Sequence, residues 1–247
     1  MIYYTDEIKV NEVNEQLLSK RLEKVSEFVA QGAILADIGS DHAYLPVHLV
    51  KQGKCPRAIA GEVNQGPLTS AKAQIAKHRL SDRITAKLGS GLSVLKDEKV
   101  DTVVVAGMGG SLIASILEEG KDYLEMVEQL ILQPNVAADN VRRWLFKHGW
   151  SLVDEAIVDE EDHVYEIIVA EQGPPNLHYG SELEKELWMG PFLLKEKNSA
   201  FQKKWVRELD KLEKVFEQLN HASDQEKLVL KKQEIQQKLL WLKEVLP

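Results

Sequence analysis

From Glu15, the apolar positions Leu18, Leu22, Val25 and Val29 recur at helical spacing. Short apolar runs then alternate with helical stretches. Ala33 to Ala36 ends at Asp37 and turns through Gly39-Ser40-Asp41. A helix follows from Ala43 to about Gln52, with Pro46 in its first turns, where a missing N–H is tolerated. Ala58 to Gly61 predicts a second strand ending at Glu62, and Pro67 opens a helix through Ala76. Ile84 to Leu88 predicts a third strand, leading into Gly89-Ser90-Gly91. Asp101 to Val105 predicts a fourth, flowing into Ala106-Gly107-Met108-Gly109-Gly110 and a helix from Ser111 to Leu117. Leu130 to Leu132 predicts a fifth, closed by Gln133-Pro134-Asn135 before a helix from Asn140. Ser151 to Val158 and Tyr165 to Ala170 read as paired antiparallel strands that close the sheet. Strands alternating with helices in this way predict a doubly wound α/β fold.

Past Gln172 the rhythm changes. Gln172 to Gly180, with Gly173-Pro174-Pro175, reads as a linker. Phe201, Trp205, Leu209, Leu212, Phe216 and Leu219 then step by fours and threes, the seam of a coiled coil. Ser223 to Glu226 has the form of a capping box starting a second helix, whose seam is Leu228, Ile235, Leu239, Leu242 and Leu246. An antiparallel hairpin about 40 Å long follows from the rise per residue. The expected organisation is an N-terminal extension (1–17), an α/β domain (18–172) and a helical coiled-coil domain (181–247).

Composition adds exclusions. Hydrophobic content of 44% and charged content of 28% suit a globular protein with a sizeable core. Cys55 is the one cysteine, so an intramolecular disulfide and a multi-cysteine zinc site are ruled out. His163 stands without metal partners, and no metal site is expected. Neither a signal peptide nor an apolar run of membrane-spanning length is found, so a cytoplasmic protein is expected. The net charge of −8 argues against a nucleic-acid partner, but its distribution softens this. From Ser181 onward basic residues number 13 against 12 acidic, and Lys195 to Lys214 carries seven basic against four acidic.

Candidate chemistry gathers at the ends of the strands. Ligands of doubly wound sheets bind outside the carboxyl ends of the strands. Gly39 lets the backbone approach a ligand, while Asp37 and Asp41 put carboxylates at that mouth. A pyrophosphate tolerates acids poorly there, whereas an ammonium or sulfonium is favoured. Glu62, at a second strand end, suits the two hydroxyls of a ribose. Three glycines between Gly107 and Gly110 allow a backbone to lie against a planar group. The amides of Gln133 and Asn135 suit an adenine edge or a helix cap. Lys20, Arg21 and Lys24 share a polar face that is either solvated or touches phosphate. Asp159 to Asp162 read as a solvated acidic turn, and Arg142, Arg143 and Lys147 lie beside Trp144 and Phe146, as core or as a nucleic-acid contact.

Five stretches together resemble one family. They are Asp37 to Pro46, Ala60-Gly61-Glu62 with Gly66-Pro67, Ala106 to Gly110, Leu130 to Asn135, and Gly190 to Asn198. The chain resembles the bacterial tRNA (adenine-22-N1)-methyltransferases, members of the class I S-adenosylmethionine (SAM) dependent methyltransferases, from about Leu18 to its C-terminus. The resemblance implies a Rossmann-like class I methyltransferase sheet carrying the helical hairpin, and methylation of N1 of adenine 22 in tRNA. It implies SAM across the strand ends: Asp37, Gly39, Asp41 and His42 at its amino-acid part, Glu62 at the ribose, Gly89, Ser90 and Gly91 at the adenine, Gly107 and Gly109 alongside. Asp41, Met108 and Asn135 are the expected catalytic residues, in a positioning role, because adenine N1 carries a free lone pair. Two departures stand out. Ser90 replaces the acid usual between these glycines, and the Asn/Asp-Pro-Pro-aromatic run of many amino-methyltransferases is missing after the fourth strand. The expected partner is tRNA, with no membrane and no metal, and the expected state a monomer or weak homodimer. The alternative is a small-molecule or other RNA N-methyltransferase whose hairpin serves dimerisation.

Overall fold

The computed structural model describes residues 18–220 and 228–247. The expected extension 1–17 and the capping box at Ser223 to Glu226 lie outside the described residues. Helix α1 (Lys20–Phe28) opens the described chain, its first turn capped by the Ser19 hydroxyl, which accepts the Leu22 N–H at 3.4 Å. The doubly wound pattern follows: β1 (Leu35–Ile38), α2 (Tyr44–Lys51), β2 (Ala58–Glu62), α3 (Gln65–Lys77), β3 (Ile84–Leu88), β4 (Thr102–Met108), α4 (Gly110–Glu119), β5 (Gln129–Pro134), α5 (Ala138–Lys147), β6 (Trp150–Glu160) and β7 (His163–Gln172). They form a seven-stranded sheet in the order β3-β2-β1-β4-β5-β7-β6. The strands from β3 to β5 run parallel; β7 is antiparallel to both β5 and β6.

Both faces of the central strands are covered, which explains their unbroken apolar runs. Successive residues point to opposite faces. Val103 and Val105 join Ile113 and Leu117 of α4 and Val141 and Leu145 of α5 on one side. Leu35 and Val104 join Val25 of α1, Leu45 and Leu49 of α2 and Ile75 of α3 on the other. Each side chain buried this way contributes roughly 1.5–3 kcal/mol. Strand order reverses between β1 and β4, and ligands of such sheets bind in the crevice outside the carboxyl ends at that switch point.

Past β7 come α6 (Leu183–Met189), α7 (Leu193–Glu196), α8 (Ser199–Asn220) and α9 (Val229–Val245). The seam residues Phe201, Trp205, Leu212, Ile235, Leu239 and Leu242 are buried, but in a core shared with Met189 and Leu193 rather than in a two-helix seam alone. Ile157 of β6 reaches into the same core. The joint to the sheet is charged. Fully buried Arg142 of α5 pairs with Glu155 at 2.6 Å and with Glu166, and Lys204 of α8 also reaches Glu166. Glu155 accepts the Phe192 N–H at 3.0 Å. A Cβ at Gly190 would lie 2.7 Å from Arg142 Nη2 and the Glu155 oxygens, so the motif starting at Gly190 closes this joint. Arg142 is therefore an internal ion-pair residue, and the nucleic-acid option for it falls.

Candidate active site

The mouth begins at the turn after β1. Gly39 and Ser40 both donate their N–H to the Gly61 carbonyl, at 2.9 and 3.1 Å, pinning the turn against β2. Gly39 takes φ +71°, and a Cβ there would lie 2.2 Å from Met108 Cε. Asp41, His42 and Ala43 then follow in the left-handed region, at φ 39°, 63° and 59°. Three such residues in a row each cost of order 1–3 kcal/mol, and strain of that kind gathers at functional sites. Asp37, on the floor, accepts the Ser40 hydroxyl at 2.6 Å. Burial pushes its pKa from 3.8 up to about 7, with Ser40 opposing and Glu62 and Asp41 reinforcing.

Across the mouth, Glu62 ends β2 and is buried. Burial raises its pKa, while a hydrogen bond from the Asp41 backbone N–H opposes that rise. Its Oε1 is buried without a hydrogen-bond partner. Such an acceptor is costly unless a ligand hydroxyl supplies the donor. The Glu62 carbonyl takes the Gly89 N–H at 2.8 Å, bringing Gly89, Ser90 and Gly91 to the same edge. A Cβ at Gly89 would meet Val94 and Ser93 within 3 Å, and Gly91 takes φ +52°. Ser90 is exposed, and its hydroxyl caps no helix. The buried orphan oxygen, the closely packed glycine turns and the acid floor together fit the ribose and cationic amino-acid parts of SAM.

On the β4–β5 side a closed ring of amide hydrogen bonds surrounds Gly107. Its N–H donates to Gln133 Oε1 at 3.0 Å, Gln133 Nε2 to Asn135 Oδ1 at 3.2 Å, and Asn135 Nδ2 back to the Gly107 carbonyl at 2.8 Å. The Asn135 N–H also donates to the Met108 carbonyl at 2.7 Å. Gly107, at φ +78°, sits at a bulge in the β4–β5 ladder. The amides read from sequence as reaching an adenine edge are thus engaged with the β4 loop. Gly109 has ordinary space around it, whereas a Cβ at Gly110 would lie 1.9 Å from the Ala137 carbonyl oxygen. One of the three glycines is therefore a packing requirement. Five exposed large apolar side chains (Tyr44, Val63, Leu88, Leu112 and Val136) stand at this carboxyl edge.

The structure thus brings Asp37, Gly39, Asp41, Glu62 and Gly89 to Gly91 to one side of the crevice and Gly107 to Gly109 with Asn135 to the other. Met108 bridges them by lying over Gly39. Two further assignments from sequence change. Asp159 to Asp162 do not form a merely solvated turn: Asp159 pairs with Lys203 at 2.7 Å, and Glu160 accepts the Lys20 backbone N–H at 2.5 Å. Arg21 turns inward and donates to Gln133 Oε1 at 3.0 Å. The missed signal was the place of Arg21 one residue before Leu22, on the edge of the apolar stripe.

A family model described as tRNA (adenine(22)-N(1))-methyltransferase, TrmK, matches residues 35–244. A Bacillus subtilis tRNA (adenine(22)-N(1))-methyltransferase is 47% identical over 235 residues, covering 95% of this chain and 99% of that protein. The crystal structure of the B. subtilis enzyme covers 94% of this chain and 100% of its own, at 46% identity and a TM-score of 0.90. M. capricolum TrmK, in complex with S-adenosyl-homocysteine, is 30% identical over 92% of this chain and 96% of its own, with a TM-score of 0.77. Streptococcus pneumoniae Sp1610, in complex with S-adenosyl-L-methionine, is 43% identical over 94% of this chain and 100% of its own, with a TM-score of 0.82.

Proposed function

This chain belongs to the tRNA (adenine(22)-N(1))-methyltransferase family, and from that premise we propose how its strand mouth carries the reaction. The chain is a SAM-dependent enzyme that methylates N1 of adenine 22 in tRNA. SAM supplies a methyl group on a sulfonium, open to in-line displacement. Around it, Glu62 holds the ribose through the oxygen that otherwise lacks a donor. Asp37 and the Asp41-His42 turn face the ammonium, and Gly39 lets the backbone come close. Gly89 to Gly91 border the adenine of the donor, with Ser90 offering a neutral hydroxyl where an acid would add a charged hydrogen bond. Gly107 and Gly109 line the side from which the target base enters.

Asp41, Met108 and Asn135 align that base. Its N1 lone pair is free at neutral pH, so no residue need remove a proton before transfer. Alignment and exclusion of water then carry the rate, an effect worth several kcal/mol, about 7–11 in well-oriented systems. The base must leave its stack to reach the mouth. Residues 181–247 grip the tRNA, through exposed Lys195, Lys197 and Lys214 among others. The enzyme works in the cytoplasm, without metal, as a monomer or weak homodimer.

The orphan Glu62 oxygen is the observation that carries the site. Titration calorimetry with SAM should show no measurable binding to Glu62→Ala, and unchanged affinity would remove Glu62 from the ribose. Primer-extension mapping of treated tRNA should place the modification at adenine 22. Transfer should survive exhaustive chelation, and a chelation-sensitive rate would overturn the metal-free mechanism.

A further inference from the structure

We propose that Arg21 is a positioning residue for methyl transfer, acting through Gln133 on the β4 loop that carries Met108. The proposal rests on the reading that the target adenine enters between β4 and β5. Gln133 is fully buried, and its two amide ends are not interchangeable in this setting. Two donors, the Gly107 N–H and Arg21 Nη1, both demand Oε1, each at 3.0 Å. Nε2 is thereby directed at Asn135 Oδ1, and Asn135 Nδ2 at the Gly107 carbonyl. Both polar groups of the Gly107 residue, its N–H and its C=O, are thus fixed by one coupled set of amides. Without Arg21, Oε1 would lose one of its two donors. The buried amide would then be held in this orientation only through the two backbone groups of Gly107, its N–H directly and its C=O by way of Asn135, on a left-handed glycine that is free to swing.

What the ring fixes is the course of the loop beyond it. Met108 follows Gly107 directly, its carbonyl is tied to the Asn135 N–H, and its side chain covers Gly39 on the donor side. Arg21 in turn is held from three directions. Its guanidinium lies 5.5 Å from the centre of the Tyr165 ring, its Nε is 3.9 Å from Glu160 Oε2, and Nη1 is spent on Gln133. Glu160 also caps the start of α1 by accepting the Lys20 N–H. The position of α1 and of the β6–β7 tip is thus passed to the loop through one side chain. A phosphate contact would instead need the guanidinium free.

Steady-state methylation by the full chain, with transcribed tRNA and SAM, tests this on Arg21→Ala, Arg21→Lys, Gln133→Ala and the double variant Arg21→Ala/Gln133→Ala. SAM-binding stoichiometry from calorimetry counts the folded protein in each preparation, so a poorly folding variant is still scored per competent site. The expected result is a kcat about 10- to 100-fold lower for Arg21→Ala, the scale of a 1 Å misplacement. SAM affinity and KM for tRNA should stay within about twofold, Arg21→Lys should recover part of kcat, and the double variant should be no slower than Gln133→Ala. A raised KM with intact kcat would make Arg21 a phosphate contact and overturn the proposal. So would additive losses in the double variant, an unchanged kcat, or a fall in SAM affinity matching the fall in rate. Failure of the entry reading itself registers separately, in Gly109→Ala, which would then transfer methyl at the full rate.

Discussion

Asp37 ties the chemistry of the mouth to pH. Its carboxyl is raised from 3.8 to about 7, by burial above all. Between those values the folded chain holds a proton that the unfolded chain has lost, so the stability of the donor-free protein falls as pH rises across that window. A cationic donor has the opposite preference, since it favours the carboxylate. SAM affinity should therefore rise as pH climbs toward 7 and level off above it, and binding at pH 6 should release a proton. Calorimetry in buffers of different ionisation enthalpy measures both, and Asp37→Asn should flatten the profile. Ser90→Asp should tighten SAM, by roughly 1.5–3 kcal/mol at most, the worth of a charged hydrogen bond. No change would place Ser90 away from the donor's adenine. Asp37, Glu62 and the glycine turns were legible in the sequence because each sits at a strand end, and a strand end is a local pattern. That Glu62 Oε1 lacks a partner, and that Gln133 closes a ring with Asn135, depended on groups brought together from different strands.

At the scale of elements, the glycines after β4 do different work. A Cβ at Gly110 would strike the Ala137 carbonyl, a backbone group that cannot turn aside, where α4 and α5 begin. Gly110→Ala should destabilise the fold by about 3 kcal/mol or more, read as a lower midpoint in thermal or denaturant unfolding. Gly109, at φ −69° and with its nearest neighbour 3.7 Å from where a methyl would sit, should accept alanine with its stability intact. Any loss of methyl transfer in Gly109→Ala would then report on the mouth itself. The sequence showed three glycines alike and one purpose for them. Only the approach of α4 to α5 separates their roles. The acidic turn follows the same logic: Asp159 and Glu160 looked solvated until α8 and α1 came to rest on them.

For the molecule as a whole, the buried charges decide how its two parts can be tested. Removing residues 181–247 would strip the Phe192 N–H from Glu155 and Lys204 from Glu166, leaving the two carboxylates to share Arg142 alone. Losing one partner of a buried pair costs about 3–5 kcal/mol, so truncation would damage the catalytic domain as well as the arm. Reversing Lys195, Lys197 and Lys214 to Glu together is the cleaner probe, because all are exposed. KM for tRNA should rise about tenfold or more and its salt dependence should weaken, with SAM affinity unchanged. If tRNA affinity does not move, the arm does not grip the substrate on this face.

The sequence by itself determined the order of strands and helices, the glycine turns at their ends, the acids at the mouth and the helical rhythm after residue 180. These are written in local spacing, since apolar period and turn chemistry act over a few residues. Tertiary structure alone decided that Arg142 is an internal ion pair, that Arg21 turns from the surface into the β4 loop, and that α6 and α7 complete the core of α8 and α9. Each of these brings together side chains distant in the chain. Whether a charged or amide group faces water or a partner is settled by what the fold sets beside it.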